Sequence, residues 1–264
     1  MKIFNQKILQ HLPDAILFDT DNTLYPYEIA NLKATEAVKN KVIHIFSVNA
    51  KDFDQAYIKA KNDIKNRLGN TASSHSRLLY LQRMLEIMGL GSQVLIALDL
   101  EQTYWRTFLS NAILFNGVKD LLEEIRLLGV PIAIVTDLTS QIQFRKMVYF
   151  GIDKFFDYIV TSEESGKDKP AEESFKLAIE KIKPKGNNFW MIGDHLVNDI
   201  SGAKKSINAS TFLKVDKIND VKDNEKSIDV IFDSYLELKT IILNILKLNF
   251  FQNLQKFLTY QTLI

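Results

Sequence analysis

Ala15-Ile16-Leu17-Phe18-Asp19-Thr20-Asp21-Asn22-Thr23-Leu24-Tyr25 is the stretch whose reading decides the fold. Its four leading apolar residues form a short run bounded by polar ones, which suits a strand covered on both faces. The strand ends in two carboxylates one residue apart. Burying one carboxylate is costly, and crowding two is worse unless a cation or a shared proton relieves the repulsion. Ligands of open α/β sheets bind just beyond the carboxyl ends of the strands, so Asp19 and Asp21 stand where a reaction centre belongs. A second reading is open at this point: either aspartate caps the next turn or helix.

Outward from this strand the chain changes character twice. Residues 5 to 12 predict a short helix or arm closed by Pro13. From Pro26 to about Asn111 there is one proline, and apolar residues recur every three or four positions, as in Leu78, Leu81, Leu85 and Met88 and again in Ile96, Leu100, Tyr104 and Phe108. Such stripes predict several helices and no strand. Gly89-Leu90-Gly91 separates two of them, and the lysine-rich part from Lys51 to Arg67 reads as a solvated helix face. After the Asn116-Gly117 turn, helix and strand alternate: helix 118–128, strand 130–135, helix 140–150, strand 158–160, helix 171–181, strand 189–192, helix 199–206 and strand 211–215, with another strand over 228–232. Strands separated by helices imply right-handed βαβ units, hence an α/β fold with a doubly wound parallel sheet. The helical block is then an insertion after the first strand, placed to cover Asp19 and Asp21. Residues 1–25 and 114–240 are expected to form the core, 26–113 the helical cap, and 241–264 an amphipathic helical tail.

The later strand ends should open onto the same crevice. One ends in Val135-Thr136-Asp137, where a hydroxyl and free backbone N–H groups suit a phosphate oxygen, although a helix cap fits equally. Lys169, directly before Pro170, can point an ammonium into the crevice, or lie on the surface as most lysines do. The next strand ends in Gly193-Asp194-His195-Leu196-Val197-Asn198-Asp199, adding two carboxylates that suit a hard cation such as Mg²⁺.

These four segments, in this order, resemble the haloacid dehalogenase-like (HAD) hydrolase superfamily, subfamily I with a helical cap of the C1 type. Asp19-Thr20-Asp21-Asn22-Thr23 is similar to its first motif, Thr136 to the second, Lys169-Pro170 to the third and Gly193-Asp194 through Asp199 to the fourth. The resemblance implies Asp19 as the nucleophile that becomes an aspartyl phosphate, and Asp21 as general acid, then base. It implies Thr136, with Asp137 beside it, at the phosphoryl group and Lys169 neutralising charge. Mg²⁺ would be held by Asp19, Asp194 and the Asp21 backbone carbonyl, with Asp199 supporting its water shell. The dehalogenase branch lacks the second aspartate, so Asp21 favours phosphate chemistry. The expected activity is Mg²⁺-dependent hydrolysis of a small phosphorylated metabolite, a nucleotide or a sugar phosphate. A phosphomutase, or a catalytically silent binding protein of the same fold, are the alternatives.

Some positions depart from the pattern. Asn22 replaces a common glycine, and Asp-Asn-Thr-Leu-Tyr is similar to the pyrimidine 5′-nucleotidase-like branch. Asp137 adds a negative charge beside the phosphate position unless it turns away or is paired. Lys167 competes with Lys169 for the third-motif role. His195 reads better as a structural or solvent-facing histidine than as a substrate contact, and of Tyr104 and Trp105 at least one should pack in the helical core.

Composition removes other classes. A formal charge of +1 gives no field for nucleic acid, and no basic run is present. The absence of cysteine excludes disulfides, zinc-thiolate sites and a cysteine nucleophile. No stretch of 18 apolar residues predicts a transmembrane helix and the N-terminus does not read as a secretion signal, so a cytoplasmic location is expected. In the tail, Leu243, Leu246, Phe250, Leu254 and Phe257 share one helical face, expected to pack on the chain's own core or on a second copy as a homodimer.

Overall fold

The computed structural model describes residues 1–218 and 227–245. Among them, seven strands make one sheet: β1 (Lys2–Ile3), β2 (Ala15–Phe18), β3 (Ile132–Thr136), β4 (Tyr158–Thr161), β5 (Phe189–Gly193), β6 (Ser210–Lys214) and β7 (Val230–Phe232). Their order is β1-β7-β6-β5-β2-β3-β4, and every pairing is parallel except β1 with β7. The two-residue β1, absent from the sequence reading, is too short to carry a period of its own.

Alternation along the central strands divides the core. Ala15, Leu17, Ala133, Val135 and Met191 face one side, where Phe175 and Ala178 of the helix Glu172–Ile182 and Ala203 of the helix Gly202–Ile207 cover them. Ile16, Phe18, Ile132, Ile134, Trp190 and Ile192 face the other, under the helices Val118–Leu127 and Ser140–Phe150. With both faces covered, β2, β3 and β5 are buried at every residue, which is why they read as unbroken apolar runs. β2 sits between β3 and β5, so the chain moves outward in opposite directions on its two sides. That is the switch point where a crevice opens at the carboxyl ends.

The insertion between β2 and the second half of the sheet is all helical: α1 (Tyr27–Phe46), α2 (Ala50–Leu68), α3 (Arg77–Ile87) and α4 (Val94–Asn111), with α1 against α4 and α2 against α3. The two apolar stripes bury Leu81 and Leu85 of α3 and Leu100, Tyr104 and Phe108 of α4, as their spacing requires. The remaining α-helices are α5 (Val118–Leu127), α6 (Ser140–Phe150), the single turn α7 (Ser162–Ser165), α8 (Glu172–Ile182), α9 (Gly202–Ile207) and α10, residues 235–245.

Local readings shift at several places. Residues 5 to 12 contain only a 3-10 turn, Gln6–Leu9. β3 begins at Ile132 because Pro131, which has no N–H to give the ladder, contributes only its carbonyl, accepting from Ile16 N at 3.0 Å. The helix after β5 opens as a π-helix, Leu196–Ser201, before α9. The tail reading lies outside the described residues except for 241–245. There the helix is already running from residue 235, and it buries Leu238, Ile242 and Ile245 rather than Leu243 against the core. No helix of the described residues is long and apolar enough to cross a membrane.

Candidate active site

The four sequence segments meet at the carboxyl edge of the sheet. Asp19 follows β2 directly, and its backbone N–H donates to Ile192 O of β5 at 2.9 Å, so the last ladder bond fixes the residue. Its side chain is held by both oxygens: Lys169 Nζ donates to Oδ1 at 2.6 Å and Thr23 Oγ1 to Oδ2 at 2.9 Å. Lys169 also donates to Asp199 Oδ1 at 2.6 Å and to Val135 O at 2.9 Å, so its three protons are all engaged. Burial works against this ammonium, but Asp19 and Asp199 overcome the penalty and raise its pKa well above the ordinary value. Lys167, by contrast, is exposed and paired with Glu173, leaving the crevice to Lys169. The Lys169–Pro170 peptide bond is cis.

Asp19, Asp194 and Asp199 each place one carboxylate oxygen within 4.8 Å of the others. Burial raises Asp19 well above its usual range with Lys169 opposing, and burial, then Asp199, pushes Asp194 up to about 7. Three carboxylates facing one ammonium leave an excess of negative charge in an all-oxygen cluster. A divalent hard cation fits that charge and donor set. Asp199 is further fixed by His195 N, which donates to Oδ2 at 3.0 Å. The approach is so close that a Cβ on Gly193 would fall 2.5 Å from Asp199 Cβ, the physical reason for glycine before Asp194. His195 is solvent-facing, and its Nδ1 accepts from Asn198 N at 3.1 Å as a cap of its own turn.

Asp21 turns the other way. Its Oδ1 accepts from Lys146 Nζ of α6 at 2.8 Å and from the Tyr25 hydroxyl. Burial would raise Asp21, but Lys146 and Tyr25 outweigh it and hold the carboxylate below its ordinary range. Its carboxylate is therefore not part of the acidic trio. Asn22 has φ +61°, a left-handed conformation that asparagine tolerates nearly as glycine does, and its Oδ1 accepts from Tyr27 N at 2.9 Å. The departure from glycine thus keeps the turn.

Thr136 ends β3, its hydroxyl 2.8 Å from that of Thr20 and accepting from Gln143 Nε2 at 2.9 Å. Asp137 does not present a bare charge to the crevice: its Oδ1 accepts from Lys169 N at 2.9 Å, tying two motif loops together. Tyr104 and Trp105 are both buried, and Trp105 also borders the cavity.

Asp19, Asp21, Thr136, Asp137, Lys169, Asp194 and Asp199 all line one cavity of about 310 Å³. The cap closes it: Asp168 N donates to Asn70 O at 3.2 Å, and Asp168 Oδ2 lies 3.0 Å from His75 Nε2. Four cavity cations escaped the sequence reading. Lys146 had a signal, since α6 buries Gln143 and Lys146 among Ile142, Met147 and Phe150, two polar residues within an apolar stripe. Lys61 and Lys65, read as part of a solvated face, look into the cavity from α2, and Arg77 enters from the start of α3. Nothing in the local sequence marks these three.

A family model described as haloacid dehalogenase-like hydrolase matches residues 13–206. The chain belongs to that family. It is 36% identical over 190 residues, 72% of this chain and 80% of the relative, to ribulose-1,5-bisphosphate 5-phosphatase of Halopiger xanaduensis. It is 28% identical over 233 residues, 88% of this chain and 98% of the relative, to glyceraldehyde 3-phosphate phosphatase of Methanocaldococcus jannaschii. The same fold is seen in the HAD-hydrolase YfnB of Bacillus subtilis, with a TM-score of 0.64 and 22% identity over 87% of this chain and 98% of that one. The chain is a phosphatase of the HAD type.

Proposed function

We propose that this chain hydrolyses the phosphomonoester of a small sugar phosphate in the cytoplasm, with Mg²⁺ as cofactor. The observation that carries the reading is Asp19, buried at the switch point of the sheet and gripped by Lys169 opposite Asp194 and Asp199. The two phosphatase relatives act on small sugar phosphates, which favours that class over nucleotides.

Thr23 and Lys169 orient the Asp19 carboxylate, which attacks phosphorus as the ester P–O bond breaks. Asp21, held ionised by Lys146 and Tyr25 at rest, takes up a proton as the phosphate dianion arrives beside it, gives that proton to the leaving alkoxide and then takes one from the water that cleaves the aspartyl phosphate, releasing inorganic phosphate and restoring Asp19. The Thr136 hydroxyl and neighbouring backbone N–H groups hold a phosphoryl oxygen, and Lys169 offsets charge throughout. Asp19, Asp194 and Asp199, with the Asp21 carbonyl, would hold a divalent cation, which would supply the charge neutralisation that lets a carboxylate approach a phosphate dianion. Cap closure over the crevice keeps bulk water from the site.

The test is hydrolysis of p-nitrophenyl phosphate and a sugar-phosphate panel, with Mg²⁺ or EDTA, by wild type and Asp19→Asn. Turnover that needs Mg²⁺ and falls at least about 1,000-fold in the variant is expected, the scale seen on removing a nucleophile. Folded wild-type protein that hydrolyses nothing on the panel, or an Asp19→Asn variant with wild-type turnover, overturns the reading.

A further inference from the structure

Charge in the cavity is divided between its two walls. On the core wall every cation has an acidic partner: Lys169 lies 2.6 Å from Asp19 and from Asp199, and Lys146 lies 2.8 Å from Asp21. On the cap wall the pairing stops. Lys61 and Lys65 stand one helical turn apart on α2, so both side chains leave the same face, and both line the cavity. Arg77 joins them from the N-terminus of α3. Among the described residues none of these three forms an ion pair with a carboxylate, although many lysines elsewhere in the chain do.

Arg77 is also built in rather than left loose. Its Nη1 donates to His75 O at 2.6 Å, its Nη2 donates to the Tyr27 hydroxyl, and its guanidinium lies 5.2 Å from the Tyr104 ring centroid and 5.6 Å from that of Trp105. A guanidinium pinned by neutral partners keeps its full charge for something else. Burial lowers the Lys61 pKa, and Lys65 and Arg77 lower it further against the opposing pull of Glu28, the mark of like charges gathered on one wall.

Resting on the phosphatase reading, we propose that Lys61, Lys65 and Arg77 form a second anion subsite, and that the preferred substrate is doubly anionic, a short sugar with a phosphate at each end. One phosphate enters the core wall beside Asp19; the other is held by the cap. The cavity, about 310 Å³, admits a sugar-sized molecule but little more. Closing the cap on such a substrate brings its second anion to the three unpaired cations, so substrate binding itself favours the closed state. A substrate with one phosphate lacks that contact.

The experiment compares kcat/KM for fructose 1,6-bisphosphate and ribulose 1,5-bisphosphate with kcat/KM for p-nitrophenyl phosphate, in wild type and in the Lys61→Ala/Lys65→Ala double variant. Both lysines are exposed, so the variant should fold; its thermal midpoint checks this. Wild type is expected to favour at least one bisphosphate by tenfold or more, and the variant to lose at least tenfold of that ratio, chiefly through KM. Lys61→Arg/Lys65→Arg should recover most of it, and Lys65→Glu should lower it further. A wild-type ratio near one, or a double variant within twofold of the wild-type ratio, overturns the subsite while leaving the phosphatase reading standing. Absence of turnover on every compound overturns both.

Discussion

Replacing each partner of the Lys146–Asp21 pair tests how burial sets the strength of the contact behind the acid–base residue. The partners are unequally exposed, the Lys146 side chain at 1% and Asp21 at 35%. Stranding one charge of a fully buried pair costs about 3–5 kcal/mol. Asp21→Asn strands Lys146 in nearly dry surroundings, where burial already lowers its pKa, so loss of its proton limits the penalty to about 3 kcal/mol. Lys146→Met keeps the stem packed near the rings of Tyr25, Trp105 and Phe108 and strands Asp21 instead. With a third of Asp21 in water and Tyr25 still donating to it, that loss discounts to about 1 kcal/mol, the value of an exposed pair. The double variant removes both charges, and a coupling of about 1–3 kcal/mol makes it less damaging than the sum of the singles. In a chain of this size 1 kcal/mol moves the thermal midpoint by about 2–4 °C. Thermal unfolding in EDTA should therefore show a fall of about 6–12 °C for Asp21→Asn, about 2–4 °C for Lys146→Met, and for the double variant a fall clearly smaller than the sum of the two. Equal falls in the two singles, or a double variant whose loss is their sum, would refute the reasoning from burial.

Other outcomes follow from neighbouring contacts. Gly193→Ala pushes a methyl to 2.5 Å from Asp199 Cβ, so it should lower stability by about 1–3 kcal/mol, read as a drop in thermal midpoint. Mg²⁺ at 100 times its dissociation constant should stabilise the chain by about 2.7 kcal/mol in the same assay, and Asp194→Asn should remove most of that gain; an unchanged gain in the variant would detach Asp194 from the metal. Asp229 is buried, which raises its pKa, but Lys204 Nζ at 2.6 Å, Asn5 Nδ2 at 2.8 Å and Thr211 N at 2.9 Å outweigh this and hold it below the ordinary carboxylate range. A depressed folded-state value gives stability that is complete above the unfolded-state value and lost as pH falls through the folded one. Asp229→Asn should therefore flatten the fall in stability below about pH 4, measured by urea unfolding across pH.

The parallel core and the helical insertion were legible in the sequence because local pattern carries them. Buried central strands have no solvent face and read as apolar runs, and helices α3 and α4 bury stripes at helical spacing. The reactive edge was legible for a related reason: Asp19, Thr136 and Asp194 sit at or directly after strand ends, which a parallel sheet brings together, and Lys169 reaches them from the segment between α7 and α8. Strand β1 and the π-helical start after β5 were not, since two residues have no period and a single π-turn leaves no periodic pattern in the sequence.

By itself, the sequence determined on which edge of the sheet the candidate residues lie, because periodicity and strand order are local or nearly local properties. Tertiary structure alone decided what each charge faces. Asp137 is spent on Lys169 N, Asp21 is claimed by Lys146 from a helix 125 residues away, and a lysine-rich helix that looks like solvated surface turns Lys61 and Lys65 toward the cavity. Electrostatic partners are set by distance in space, and on a folded chain neither sign nor spacing along the sequence reports that distance.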